Sequence, residues 1–370
     1  MALLKARRLW LLAHRWVGLS LGLLLLLAGL TGAALTVTRP LDEALHPELF
    51  QAPAAPPGAV FRLDAVRERL SAEFGSRTGF TFRPPREPGE TLHVYVRGPW
   101  SGTLHLDPAS GTELGRRGEH EGLFNVLFEL HATLLMEETG RALLALAVLS
   151  YVLLLVTGAV LWWPSKWRHA FSIKLVAGLT RSLFDLHRVG GAVLGLGVLV
   201  SVLTGAYMAW RPISVWVTGV AGAVPLKPPP VRPPLPAAKA TTASLERVVE
   251  QARTIFPAGQ LGYVQWPAGA GAAGRIRFRL PDDPHPNGLS SVWFDPNDGR
   301  ILAAHRWSEL DPGARGYAWI YPLHIGRLGG TGQLVLNFVF GAVLAGFGVS
   351  GVWLWWRRRR ARRASGDPER

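Results

Sequence analysis

Four histidines carry the chemistry open to this sequence. His14 and His187 each open a long apolar run, and each is followed by an arginine, Arg15 and Arg188. The two runs read HRWVGLSLGLLLLLAGLTG and HRVGGAVLGLGVLVSVLTG, and the interval from His14 to Gly32 equals that from His187 to Gly205. His131 and His324 precede two further apolar runs and stand at equal intervals from Gly158 and Gly351. Ionisable side chains at the margin of a hydrophobic span are costly, and by default they mark function. Imidazole is a ligand for iron, copper and zinc. Cysteine is absent, which removes disulfides, iron–sulfur clusters, thiolate-ligated heme and thiol nucleophiles. A redox metal here must be held by His, Met, Tyr or carboxylates, and Met numbers three against eleven His.

The surrounding elements must place these histidines. The chain has 370 residues, 48% hydrophobic, with mean hydropathy +0.18. That balance fits membrane spans joined to sizeable polar parts. The net charge of +14 lies largely beside apolar runs, so it reads as membrane topology and not as a nucleic-acid surface.

In order, residues 1–37 form a basic tail and a first span. A cleaved signal peptide is the alternative there, with a weak cleavage signal at AALT. Residues 38–122 form a polar module with a helix at 63–74 and strands at 91–98 and 103–114, the second containing an Asp-Pro-x-x-Gly turn from Asp107. Residues 123–163 hold an interfacial helix carrying His131, a polar break at Met136–Gly140, and a second span from about Arg141. Residues 164–186 form a basic loop, and 187–210 the third span. Residues 211–316 form a second polar module: a proline-rich linker at 225–236, a helix at 242–256 with Ser244 as cap, and strands at 275–280 and 291–302 with a matching turn at Asp295. Residues 317–356 repeat the interfacial segment, with His324, and end in a fourth span. A basic tail, 357–370, closes the chain. The chain thus reads as a tandem duplication with four transmembrane helices and two α+β extracytoplasmic modules. The lysines and arginines of the N-terminal tail, the 164–186 loop and the C-terminal tail place both termini in the cytoplasm.

Depth then pairs the histidines. A span of about 20 residues is roughly 30 Å long, so the two histidines of one repeat cannot share an iron. The pairs must be His14 with His187 and His131 with His324, holding two six-coordinate b-type hemes, one per leaflet. Gly18 and Gly191 lie one turn from His14 and His187, where a flat macrocycle needs bare helix surface; helix packing through Gly-x-x-x-Gly is the alternative. Arg15, Arg188, Arg141 and Arg327 lie near the four histidines as partners for heme propionates or as topology arginines. Arg275, Arg277 and Arg279 share one strand face, either to receive an anionic substrate or simply solvated. His46 and His169 are further ligand candidates. His93, His105, His120, His285 and His305 read as surface or strand residues. No phosphate-binding glycine loop, dinucleotide fingerprint, zinc-protease motif or nucleophile elbow is present.

The ordered motifs resemble a known family. His-Arg-x-x-Gly opening a span, Leu130-His131-x-x-Leu-Leu before the next, and paired modules ending in Asp-Pro-x-x-Gly are similar to the PepSY-associated transmembrane proteins, which include iron-regulated membrane proteins and siderophore reductases. The resemblance covers residues 8–360. After His324 the sequence departs from it, with Ile-Gly-Arg in place of x-x-Leu-Leu. It implies heme b in the spans, PepSY modules in the periplasm, an inner-membrane location, and reduction of a ferric siderophore with electrons from quinol or a cytoplasmic flavoprotein. A non-enzymatic sensor that binds peptides or inhibits a protease is the second reading.

Overall fold

Among the described residues of the computed structural model (2–54, 62–231, 243–269 and 271–364), four helices are long and apolar enough to cross a membrane. The chain is therefore a multi-pass membrane protein. The order of elements is α1 (Ala2–Leu45), α2 (Pro47–Phe50), α3 (Leu63–Phe74), β1 (Gly79–Arg83), β2 (Leu92–Arg97), β3 (Gly102–Leu106), β4 (Glu113–Gly118), α4 (Leu123–Thr133), α5 (Glu137–Trp162) and α6 (Leu179–Ala209). There follow α7 (Arg211–Val220), α8 (Leu245–Ile255), β5 (Gln260–Trp266), β6 (Gly274–Arg279), β7 (Ser290–Phe294), β8 (Ile301–His305), α9 (Pro312–His324) and α10 (Gly330–Ala364). Two compact units emerge. One comprises Met1–Val37, Leu127–Arg211 and Leu323–Arg370; the other comprises Thr38–Val126 and Pro212–Pro322.

The first unit is the helical bundle built on α1, α5, α6 and α10. Helix α1 runs unbroken through the AALT stretch and past Val37, and ends where His46 precedes Pro47, a position biased away from helix. Its Gly29 meets Gly341 of α10 so closely that a Cβ would lie 2.6 Å from the Gly341 carbonyl. Helix α6 packs on α5 at Gly195, whose carbonyl accepts the Tyr151 hydroxyl at 3.0 Å, and on α10 at Gly197 against Phe340. Such small-residue contacts are what joins helices where lipid removes the hydrophobic drive.

The break between α4 and α5 falls earlier than the polar Met136–Gly140 stretch predicts. The chain turns at Leu134, Leu135 and Glu137, all with φ between 50° and 58°, and α5 begins at Glu137 itself. The corner closes so tightly that a Cβ on Gly140 would lie 1.5 Å from the Thr133 carbonyl.

The second unit is built on one antiparallel sheet of eight strands in the order β4-β3-β2-β1-β5-β6-β7-β8. The sequence points to two separate modules, each with two strands. Each contributes four, and the two sets join edge to edge where β1 pairs with β5, Phe82 opposite Val264. The predicted strands at 103–114 and 291–302 are each split in two by their Asp-Pro turn. Asp107 accepts from the Gly111 N–H through its carbonyl at 2.8 Å, and Asp295 accepts from Gly299 in the same way. Helices α3 and α8 cover one face, over Phe80, Phe82, Val94, Leu104, Val264, Ile276, Val292 and Phe294, all nearly inaccessible. Their first turns cap each other. The Asp64 carboxylate accepts from the Leu245 N–H (2.7 Å) and the Ser244 hydroxyl, while Glu246 accepts from the Asp64 N–H (2.9 Å). Ser244 also accepts from the Arg247 N–H, as a cap residue should. Part of the predicted linker, residues 232–236, Thr242 at the start of the predicted α8 segment and residues 365–370 of the tail lie outside the described residues.

Candidate functional site

The bundle brings the four histidines together in two pairs. The His14 and His187 rings lie 6.2 Å apart, centroid to centroid, and nearly perpendicular (84°); those of His131 and His324 lie 6.1 Å apart at 29°. His14 and His187 sit inside α1 and α6, whereas His131 and His324 sit at the ends of α4 and α9.

Every one of the four rings is held the same way. Nδ1 of His14 meets the Thr157 hydroxyl at 2.8 Å, His131 meets Thr31 at 3.0 Å, His187 meets Ser350 at 2.7 Å and His324 meets Thr204 at 3.0 Å. Each hydroxyl has one hydrogen, and each spends it on its own helix. Thr157 donates to the Leu153 carbonyl, Thr31 to Leu27, Ser350 to Gly346 and Thr204 to Val200, at 2.6–2.8 Å. The hydroxyl must therefore accept from the ring, so Nδ1 carries a proton, and in the neutral ring the free lone pair is then on Nε2. Orienting a ligand through its second nitrogen is the usual support of a metal-binding imidazole.

The residue after each hydroxyl is glycine, and it is the surface the ring lies on. A Cβ on Gly32 would stand 3.0 Å from Cε1 of His131, on Gly205 2.9 Å from His324, on Gly158 3.4 Å from His14 and on Gly351 4.0 Å from His187. The sequence marks Thr31-Gly32 and Thr204-Gly205 as matched Thr-Gly pairs, with Gly32 on the His14 face, but sequence reasoning gave the hydroxyls of Thr31, Thr157, Thr204 and Ser350 no role. The available signal was a Thr-Gly or Ser-Gly pair occurring four times at matched positions. Gly18 makes an ordinary contact with Leu154, and Gly191 borders open space; neither touches a histidine ring at van der Waals distance.

The arginines divide. Arg188 clamps the loop before α6, donating to the carbonyls of Ala170 (2.7 Å) and Ser172 (2.8 Å) beside the buried Asp185. Arg15 lies over Trp16 and has a buried Nε with no hydrogen-bond partner. Arg141 pairs with Glu138 on the exposed side of α5, and Arg327 is exposed. His46 bonds to Glu48, and His169 stands exposed in a short helical turn. His93 and His105, read from sequence as unpaired, are cross-strand neighbours on β2 and β3 with rings 4.6 Å apart, both buried. Burial, and then His105, drives His93 down to about 2, and burial, and then the charge of Arg117, drives His105 down to about 4, so both are neutral near pH 7. Arg275 and Arg277 are half-buried, where the sequence allowed a solvated face; Arg279, at the strand end, is exposed.

The described residues hold no cluster of three or more His, Asp or Glu able to bind a bare metal ion. What they hold is two pairs of imidazoles in a bundle of long apolar helices. Two imidazoles that face each other across one metal through Nε2 have centroids about 6 Å apart, since each metal–nitrogen bond is roughly 2 Å and the nitrogen lies about 1.1 Å from its ring centre. Both observed pairs match that spacing. The site belongs to a multi-pass membrane protein with two histidine pairs in its helical unit. The pattern that defines the PepSY-associated TM region matches residues 11–358, and the chain belongs to that family. No curated protein matches the chain.

Proposed function

We propose that the chain is an inner-membrane diheme b oxidoreductase that passes electrons from the cytoplasmic side to the periplasm, reduces a ferric siderophore there and releases Fe(II). The observation that carries this reading is the pair of histidine pairs, each at a spacing that would let two imidazoles hold one iron between them and each with Nδ1 committed to a hydroxyl. Two protein ligands leave the other coordination positions of an iron to be filled, and a porphyrin fills four. Heme b bound at each pair would supply one-electron chemistry. The chain's own residues orient the imidazoles, keep their ligating nitrogens unprotonated and exclude water with apolar helix surface.

The two levels are set by helix length. From His14 to Thr31, the partner of His131, α1 rises roughly 26 Å at 1.5 Å per residue, so one pair belongs to each leaflet. The basic ends of the four spans, at Arg7 and Arg8, Lys166 and Arg168, Lys174 and Arg181, and Arg357–Arg363, fall on one side by the positive-inside rule, which we take as cytoplasmic. The sheet unit, which we read as two PepSY modules from a tandem duplication, is then periplasmic. Reduction of Fe(III) to Fe(II) in a chelate consumes one electron and weakens binding by hard oxygen donors, so no nucleophile or general acid is required. Quinol or a cytoplasmic flavoprotein is the donor class.

The test is the absorption spectrum of the purified protein, oxidised and dithionite-reduced, with heme counted as the pyridine hemochrome. Two low-spin b hemes per chain, reoxidised by a ferric chelate, are expected. A colourless protein from heme-replete cells overturns the reading and leaves a non-enzymatic PepSY sensor or regulator.

A further inference from the structure

The face of the sheet turned away from α3 and α8 carries an unusual row of side chains. Register places Gly115, His105, His93 and Arg83 opposite one another across β4, β3, β2 and β1. Pairing of Phe82 with Val264 sets Arg83 beside Tyr263, and the row continues through Arg277, Ser291 and His305 on β6, β7 and β8. A parallel row two residues away runs through Tyr95, Thr81, Gln265, Arg275 and Trp293. Neither row contains Asp or Glu. Glu90 lies 3.7 Å from Arg83, and both carboxylate oxygens of Asp283 are taken by the backbone N–H groups of His285 and Leu289.

Arg275 and Arg277 are the heart of this face. Arg275 donates from Nε and Nη2 to the Ser291 hydroxyl, and Arg277 donates to the Gly288 carbonyl. Those acceptors are neutral; the nearby Asp283 carboxylate partly offsets the charge of Arg277, and among the described residues no acid does so for Arg275. Each guanidinium lies over an aromatic ring, Arg275 over Trp293 at 4.8 Å and Arg277 over Tyr263 at 5.5 Å. Tyr95 packs edge-on against Tyr263, and Tyr317 and Tyr321 flank His285 beside Arg277. Burial and then the neighbouring Arg277 pull Arg275 down to about 9, the mark of a cation held without compensation. Arg275, Arg277 and Tyr263 all keep partial exposure, whereas His93, His105 and His285 are buried, so this part of the face is the one a ligand can reach.

We propose that this face binds an anionic iron chelate, one whose iron donors are carboxylates or catecholates, and that Arg275 and Arg277 recognise its negative charge. Planar guanidinium forks match carboxylate geometry, and the surrounding tyrosines and Trp293 give flat surfaces for an aromatic or extended chelator. A positively charged hydroxamate complex would meet like charge here. The proposal rests on the reductase reading for its choice of ligand, but binding is measurable without electron transfer.

The experiment uses the full chain in detergent and gallium(III) complexes, which accept no electron from a b heme. Binding of gallium–citrate and of a cationic gallium trihydroxamate is measured by equilibrium dialysis with metal counting, with metal-free citrate as competitor. The anionic complex should bind at least about tenfold more tightly than the cationic one, and high salt should weaken it. Arg275→Gln and Arg277→Gln should each weaken it about fivefold or more, with Arg275→Lys and Arg277→Lys intermediate. Equal binding of both complexes, equal competition by metal-free citrate, or unchanged binding in Arg275→Gln with an unshifted melting temperature overturns the proposal. The two readings fail separately. A heme-free protein that binds gallium–citrate ends the reductase and keeps the site, and a coloured reductase that ignores gallium–citrate ends the site and keeps the reductase.

Discussion

The two histidine pairs reach the same spacing by different backbone means. His14 and His187 project from uninterrupted helices, so their positions follow from helix packing alone. His131 and His324 stand where the chain turns back on itself, and their positions depend on how each turn is made. After His131 the turn uses Leu134, Leu135 and Glu137 in left-handed conformations that cost non-glycine residues about 1–3 kcal/mol each, held by the close approach of Gly140 to Thr133. After His324 the same reversal uses Gly326 and Gly330 at φ 75° and 59°, and side chains of α10 cap the end of α9. Asn337 donates to the His324 carbonyl at 2.6 Å, and Gln333 donates to the Leu323 carbonyl at 2.9 Å. The Ile-Gly-Arg sequence that departs from the family motif is thus the glycine-built form of the corner that the Leu-Leu form makes under strain. A ligand inside a helix is robust to its loops; a ligand at a corner is only as well placed as the corner.

The largest expected effect separates the pairs outright. On the proposed diheme reading, His14→Ala and His131→Ala should each lower heme content from two to one per chain, and a double substitution within one pair, His14→Ala with His187→Ala, should lose no more than either alone. Loss of both hemes from a single substitution would show that the sites do not fill independently. Next come the corners. Gly140→Ala should destabilise the protein by about 3 kcal/mol, because the added Cβ meets a backbone carbonyl, and the damage should fall on the His131/His324 heme. Leu134→Gly should do the reverse and raise the melting temperature. If Gly140→Ala perturbs both hemes alike, the corner is not what places His131. A smaller effect is expected at the hydroxyls. Thr157→Val or Ser350→Ala should weaken ligation at the inner pair, on the order of 10-fold to 100-fold. A shift in midpoint potential of that heme alone, read by spectroelectrochemistry, is the check.

How much of this was legible from sequence follows from the range of each interaction. The histidine pairing was legible because two equal intervals and one helix length fix it. The hydroxyl–glycine cradle was visible as four short pairs, but its meaning needs a second helix. Strands β1 and β5 were missed: GFTFR and QLGYVQW are short and bounded by turns, and their pairing joins Phe82 to Val264 across about half of the chain. Local periodicity carries no trace of so distant a partner. The alternation of Arg275, Arg277 and Arg279 was read correctly as one face, but whether a strand face is wet depends on what packs over it. The same limit hid the burial of His93, His105 and His285.

Those three buried imidazoles give the smallest prediction, and it belongs to the sheet unit alone. Burial, followed by nearby arginines and in His93 by His105, lowers His93 to about 2, His105 to about 4 and His285 to about 3. In the unfolded chain each regains an ordinary value of about 6.5. Below that pH the unfolded state binds protons that the folded state refuses, so stability must fall as pH drops from about 6.5 toward 4 and hold steady above it. Hydrogen exchange of the strand amides should therefore quicken between pH 6.5 and 4.5, after correction for intrinsic rates, while amides of α5 and α6 change less. His105→Phe, which packs against Phe50 without a titrating group, should flatten that dependence in β2 and β3. An unchanged slope in His105→Phe would mean that His105 is protonated in the folded sheet despite its burial.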